Sequence, residues 1–112
     1  DRDRSKRAQM GAVAARGADM VWVTEDNSRS EDPRHIAEQV VAGMESSAAQ
    51  VSIVLSRAQA IAAALRARGD GDLLLIAGKG HEEYIERGGV RTPWSDAECV
   101  RDLLAADRQA AV

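Results

Sequence analysis

Apolar positions along the chain switch between helical and extended spacing, and the switches predict its elements. Over residues 7–16, Met10, Val13 and Ala14 recur at helical spacing, and Gly17 is a stop. Residues 20–24 (MVWVT) are short, β-branched and apolar, the pattern of a buried strand. Asp32 is placed to cap a helix with Pro33 at its first position; Ile36, Val40, Val41 and Met44 line one face, while Arg34, Glu38 and Gln39 fall away from it. Residues 51–55 predict a second strand, and Ser56 caps a helix whose inner face is Ala60, Ile61, Ala64 and Leu65, closed by Gly69. The continuous apolar run at 72–77 (DLLLIA) predicts a third strand covered on both faces. Gly88-Gly89, between two short extended runs, is a hairpin turn, since a type I′ turn needs positive φ at both central residues. Ser95 and Glu98 form a capping box before Val100, Leu103 and Leu104, with a frayed tail expected after Ala106.

Strand, helix, strand, helix, strand is the order of right-handed βαβ units. The expected architecture is a three-layer, Rossmann-like α/β domain. Its sheet is mostly parallel with an antiparallel C-terminal hairpin, and it lacks its first strand. Residues 1–112 form one domain without internal repeats. The chain opens without Met inside a charged run, DRDRSKR, which reads as a piece of a longer protein.

Composition narrows the function classes. The 45% hydrophobic share comes from Ala, Val, Leu and Ile, with no Phe, which suits helices packed on a sheet. Fifteen basic and 18 acidic residues are interspersed, giving a net charge of −3, so the clustered positive surface a nucleic acid needs is missing. The single Cys99 excludes an internal disulfide, has no metal-ligand cluster beside it, and reads as a small core residue. No apolar run approaches membrane-spanning length and nothing reads as a signal peptide, so a cytoplasmic setting is expected.

Two polar loops follow predicted strands: EDNSRSEDP at 25–33 and GKGHE at 78–82. Ligands of open parallel sheets bind outside the carboxyl ends of the strands. Arg29 offers a planar fork for a carboxylate, Asn27 donates and accepts, and Glu82 supplies negative charge for an ammonium. Gly78 and Gly80 permit close backbone approach. Taken alone, the first loop is a solvated turn with a helix cap and the second a weak signal. GKGHE lacks the spacing of a P-loop, so Lys79 is not assigned to a nucleotide phosphate. His81 reads as a structural histidine, His35 as surface, and Tyr84 and Trp94 as hairpin packing. Together at one end of one sheet, the two loops carry the charges a free amino acid requires.

Four segments then carry a resemblance: DRDRSKRAQMG at 1–11, TEDNSRSEDP at 24–33, IAGKGHEEYI at 76–85 and GGVRTPWSDAECVRDLL at 88–104. In this order they resemble the C-terminal domain of the Mur ligases, in the tripeptide-synthetase branch. That resemblance implies a domain binding the incoming amino acid of a three-domain, ATP-dependent, amide-forming ligase of peptidoglycan synthesis. In members that add meso-diaminopimelate, the recognition loop reads D-N-P-R; here Ser28 replaces the proline. The implied contacts to meso-diaminopimelate are Arg2, Asp26, Asn27, Ser28, Arg29, Gly78 and Glu82. The resemblance assigns no catalytic residue and no metal ligand to this chain. It implies ATP and Mg2+ held mainly by other domains, and UDP-MurNAc-L-Ala-D-Glu activated there as an acyl phosphate. Lys6 is a candidate for contact with the nucleotide, and the chain alone is expected to be inactive. The competing readings are a sibling ligase that adds lysine or another diamine, and a non-catalytic amino-acid-binding module.

Overall fold

Three of the four described helices begin where a side chain accepts from a free N–H of the first turn. In the computed structural model, which describes residues 5–79 and 82–110, helix α1 spans Ser5–Arg16 and strand β1 spans Met20–Val23. Helix α2, Pro33–Ala42, starts with Asp32 accepting from Arg34 N at 3.0 Å and Pro33 at the first position. Strand β2 is Gln50–Ile53, and helix α3, Arg57–Ala67, is capped by Ser56 accepting from Gln59 N at 3.3 Å. Strands β3 (Tyr84–Arg87) and β4 (Val90–Pro93) lead to helix α4, Asp96–Ala110, where Ser95 Oγ accepts from Glu98 N at 3.2 Å. Helix α4 continues past Ala106 rather than fraying, in keeping with the helix-favouring run after it. Among the described residues no helix is long and apolar enough to cross a membrane.

β1 and β2 pair in parallel with Val21 opposite Val51 and Val23 opposite Ile53. Pleating sends Val21 and Val23 to one face, where they meet Ala15, Ala37, Met44, Val40 and Val41 of the α1 and α2 side. The opposite face carries α3, whose Ala60, Ile61 and Ala64 are buried, and α3 packs on α4. The result is the expected three-layer α/β order. The hairpin forms a separate antiparallel pair, turned by Gly88 at φ 58° and Gly89 at φ 80°.

One expectation, the third strand, is corrected, and helix α1 forms as expected but turns a different face inward from its apolar residues. Met10, Val13 and Ala14 do not form the inner face of α1, and both Met10 and Val13 are exposed. Arg7, Gly11 and Ala15 face inward instead, because α1 and α2 approach so closely that a Cβ on Gly11 would strike the Val40 carbonyl. Residues 72–77 run without ladder bonds, and Leu73 and Leu75 are 94% and 83% exposed. An apolar run becomes a covered strand only where a neighbouring strand and helix meet it, and among the described residues β1 pairs with β2 alone.

Burial separates two substitutions in the 112-residue chain. Ile61→Ala is expected to lower urea-unfolding stability by about 3 kcal/mol, as deletion of a buried aliphatic group does. Leu73→Ala should change it by less than about 0.5 kcal/mol. A comparable loss at both positions would show that 72–77 is packed.

Candidate amino-acid site at the carboxyl ends of the strands

The chain leaves β1 and β2 together. Val54 N donates to Val23 O at 2.9 Å, Glu25 N to Leu55 O at 3.2 Å, and Thr24 Oγ1 to the same carbonyl at 3.1 Å. The first polar loop starts from this braced end. Its far side is tied to helix α1 by Arg7, which is buried and grips both carboxylate oxygens of Glu31 at 3.1 and 2.6 Å and Gln39 Oε1 at 2.7 Å.

Arg57 joins the roots of the two loops. The residue is 4% exposed, so its charge must be met by close acceptors. Nε and Nη2 reach the two Asp96 oxygens at 2.7 and 2.8 Å. Nη1 donates to Glu25 O at 3.1 Å and Nη2 to Ala77 O at 3.0 Å. Trp94 Nε1 adds a bond to Asp96 Oδ1 at 2.6 Å. One guanidinium thus holds the end of β1, the end of 72–77 and the first turn of α4.

Above it, the loops meet directly. Gly78 has φ +109°, a backbone shape that favours glycine, and a Cβ there would crowd Asp26 Oδ2 at 3.3 Å. Lys79 is also 4% exposed; its Nζ pairs with Asp26 Oδ1 at 2.5 Å and donates to Asn27 Oδ1 at 2.9 Å and Tyr84 O at 2.7 Å. Asn27 Oδ1 also accepts from Glu86 N at 2.9 Å, which turns its amide nitrogen toward Glu82 Oε1 at 3.2 Å. Arg29 sits in the left-handed region at φ 55°, a conformation that costs a non-glycine residue about 1 kcal/mol. The hairpin holds it there: Arg29 N donates to Glu86 O at 3.2 Å and Gly88 N to Arg29 O at 2.6 Å. Arg87 also pairs with Glu25. The Arg29 guanidinium has no hydrogen-bond or ion-pair partner among the described residues.

The expected residues Asp26, Asn27, Ser28, Arg29, Gly78 and Glu82 therefore lie in one place. Arg2, Gly80 and His81 fall outside the described residues. Lys6 is exposed on the first turn of α1, next to Arg7 and so at the same end as the first loop. Lys79 and Arg57 went unassigned on sequence. Arg57 did carry a signal, since a cation in the first turn of a helix opposes the dipole and needs acceptors of its own. Burial pushes the Cys99 thiol up, aided by Asp96 and Asp102, which suits a packing residue better than a nucleophile.

Parallel α/β units that present facing polar loops at their strand ends form a broad class of domains, and this chain has that architecture. More narrowly, residues 1–80 match the family described as Mur ligase, glutamate ligase domain, and the chain belongs to that family. It is 49% identical over 106 residues to the UDP-N-acetylmuramoyl-L-alanyl-D-glutamate--2,6-diaminopimelate ligase of Ectopseudomonas mendocina (strain ymp), covering 95% of this chain and 22% of that one. The ligase of the same name from Parasynechococcus marenigrum (strain WH8102) is 52% identical over 104 residues, covering 93% and 21%. A solved structure of a ligase so named aligns at a TM-score of 0.83 and 39% identity, over 96% of this chain and 22% of that one. The chain thus spans about a fifth of the length of the curated relatives it matches.

Two predictions concern the frame of the site. The Asp96 carboxyl is held below its usual range, first by the Arg57 hydrogen bonds, against burial, and further by Trp94 and by the charges of Arg57 and Lys79. With the folded value below the unfolded one, this stabilisation is complete above the unfolded carboxyl's titration near about pH 4 and is lost as pH falls through the folded value. Asp96→Asn should therefore flatten the acid limb of urea stability against pH, and an unchanged limb would contradict the pairing. Separately, Ser28 is buried and its Oγ has no hydrogen-bond partner among the described residues. Ser28→Ala should stabilise the chain by up to about 1 kcal/mol in thermal unfolding, and a loss of that size would show a hidden partner.

Proposed function

We propose that this chain is the amino-acid-binding domain of a cytoplasmic ATP-dependent ligase, and that the amino acid is meso-diaminopimelate. The observation that carries this reading is the Asn27–Glu82 hydrogen bond that joins two loops of a Mur ligase domain, two residues from Arg29, whose guanidinium has no partner among the described residues. A diaminopimelate has two amino-acid heads. Arg29 supplies paired N–H groups for the carboxylate of the far head, and Glu82 supplies charge for its ammonium. Asn27 and the Gly78 backbone line the space between, and Arg2 is assigned to a carboxylate. The near amine is then left free to react.

In the longer protein, ATP phosphorylates the D-glutamate carboxylate of UDP-MurNAc-L-Ala-D-Glu. The presented amine attacks the acyl carbon, phosphate leaves with the bonding pair, and the ammonium proton is lost to give the amide. This domain contributes position rather than proton transfer, turning an encounter of two solutes into a reaction within one complex. The nucleotide and Mg2+ are assigned to the rest of the longer, three-domain protein, with Lys6 facing the nucleotide.

Arg29→Ala in the full-length protein should raise the KM for meso-diaminopimelate about tenfold to a thousandfold while the KM for ATP stays within about threefold. An unchanged KM for the amino acid refutes the assignment of this loop. A preference for L-lysine over meso-diaminopimelate in the unaltered protein refutes the substrate.

A further inference from the structure

We infer that Lys79 is a positioning residue that sets the selectivity of this site for a zwitterionic head over a bare ammonium. The inference rests on the amino-acid reading above and goes beyond it, because Lys79 is assigned no contact with substrate or nucleotide.

Two observations carry it. The first is engagement. The Lys79 ammonium donates to Asn27 Oδ1 at 2.9 Å and to Tyr84 O at 2.7 Å, and its charge is met by an ion pair with Asp26 Oδ1 at 2.5 Å. Its charge also lies 5.9 Å from the centre of the Tyr84 ring. A lysine this buried, held by two hydrogen bonds and an ion pair, is not poised to reach a phosphate. It joins three separate segments: the loop after β1, the loop after 72–77, and β3.

The second is orientation and charge. Asn27 Oδ1 takes hydrogen bonds from both Lys79 Nζ and Glu86 N, at 2.9 Å each, and these two donors fix which end of the amide faces the site. The amide nitrogen is thereby directed at Glu82. Removing Lys79 removes half of that constraint and frees the Asp26 carboxylate at the same time. The facing charges are then unbalanced. With Lys79 present, Asp26 and Glu82 are matched by Lys79 and Arg29, and a ligand head with no net charge fits. Without it the cluster carries one excess negative charge, which favours a cation. The far head of a diaminopimelate is a zwitterion, whereas the far end of lysine is an ammonium alone. Lys79 therefore neutralises Asp26 so that Glu82 alone is left to receive the ammonium, and the carboxylate partner Arg29 then decides the outcome.

The test uses the full-length protein with Lys79→Met and Lys79→Arg, measuring KM for meso-diaminopimelate, L-lysine and ATP. Lys79→Met should raise the KM for meso-diaminopimelate about 10- to 100-fold, as loss of a group that orients a ligand-contacting side chain does. It should leave the KM for ATP within about threefold and lower the diaminopimelate-to-lysine ratio of kcat/KM at least about tenfold. Lys79→Arg keeps the charge but not the shape. It should hold that ratio within about threefold while raising the diaminopimelate KM several-fold. A Lys79→Met protein with an unchanged ratio, or with amino-acid and ATP KM values rising together, overturns the inference. Should Lys79→Met fail to fold, the Lys79→Arg arm decides: an unchanged diaminopimelate KM, or one that rises with that of ATP, overturns it. If Arg29→Ala raises the diaminopimelate KM while Lys79→Met does not, the inference fails and the amino-acid reading stands. If neither does, that reading fails.

Discussion

The buried guanidinium of Arg57 determines where the two halves of the site stand. In most parallel sheets the spacing of strand ends is fixed by ladder hydrogen bonds. Here residues 72–77 make none, so the end of that segment is placed by the bond from Arg57 to Ala77 O, and the end of β1 by the bond to Glu25 O. Asp96 holds the guanidinium through two oxygens and itself receives Trp94 Nε1. A charge in the interior is tolerated only while its acceptors are complete. Each partner is therefore as necessary to the geometry as the arginine itself.

Lys79 repeats this arrangement one layer further out. Arg57 fixes the backbone roots of the loops, and Lys79 fixes the side chains that project from them. The hairpin closes the third side by holding Arg29 in a left-handed conformation between Glu86 and Gly88. Among the described residues Arg29 is held by its backbone alone, so its guanidinium is unspent there. Asn27, in contrast, is bonded at both ends of its amide and arrives already oriented. The site thus combines a pre-set hydrogen-bonding group with a free cation, which suits a ligand that brings its own carboxylate.

Local signals in the sequence were legible wherever one residue decides the conformation. Asp32 and Pro33 start α2, Ser56 starts α3, and Gly88-Gly89 turn the hairpin, each through its own backbone chemistry. The loops bearing Asp26 to Arg29, Gly78 and Glu82 were legible because strand ends are where such folds bind ligands. What failed was any judgement that depends on a distant neighbour. DLLLIA has the composition of a covered strand, yet nothing in the run says whether a partner lies beside it. Met10 and Val13 have the right spacing for an inner face, but Gly11 admits α2 on the opposite side. Lys79 and Arg57 were hidden for the same reason: their key partners lie 52 and 39 residues away.

The central claim is that the loops after β1 and after 72–77 form one site for a zwitterionic amino-acid head. A crystal structure of the full-length protein with meso-diaminopimelate tests it most directly. The account predicts the far carboxylate within hydrogen-bond reach of the Arg29 guanidinium, and the far ammonium beside Asn27 and Glu82. An amino acid bound elsewhere, or one whose far head leaves Arg29 unpaired, would contradict it.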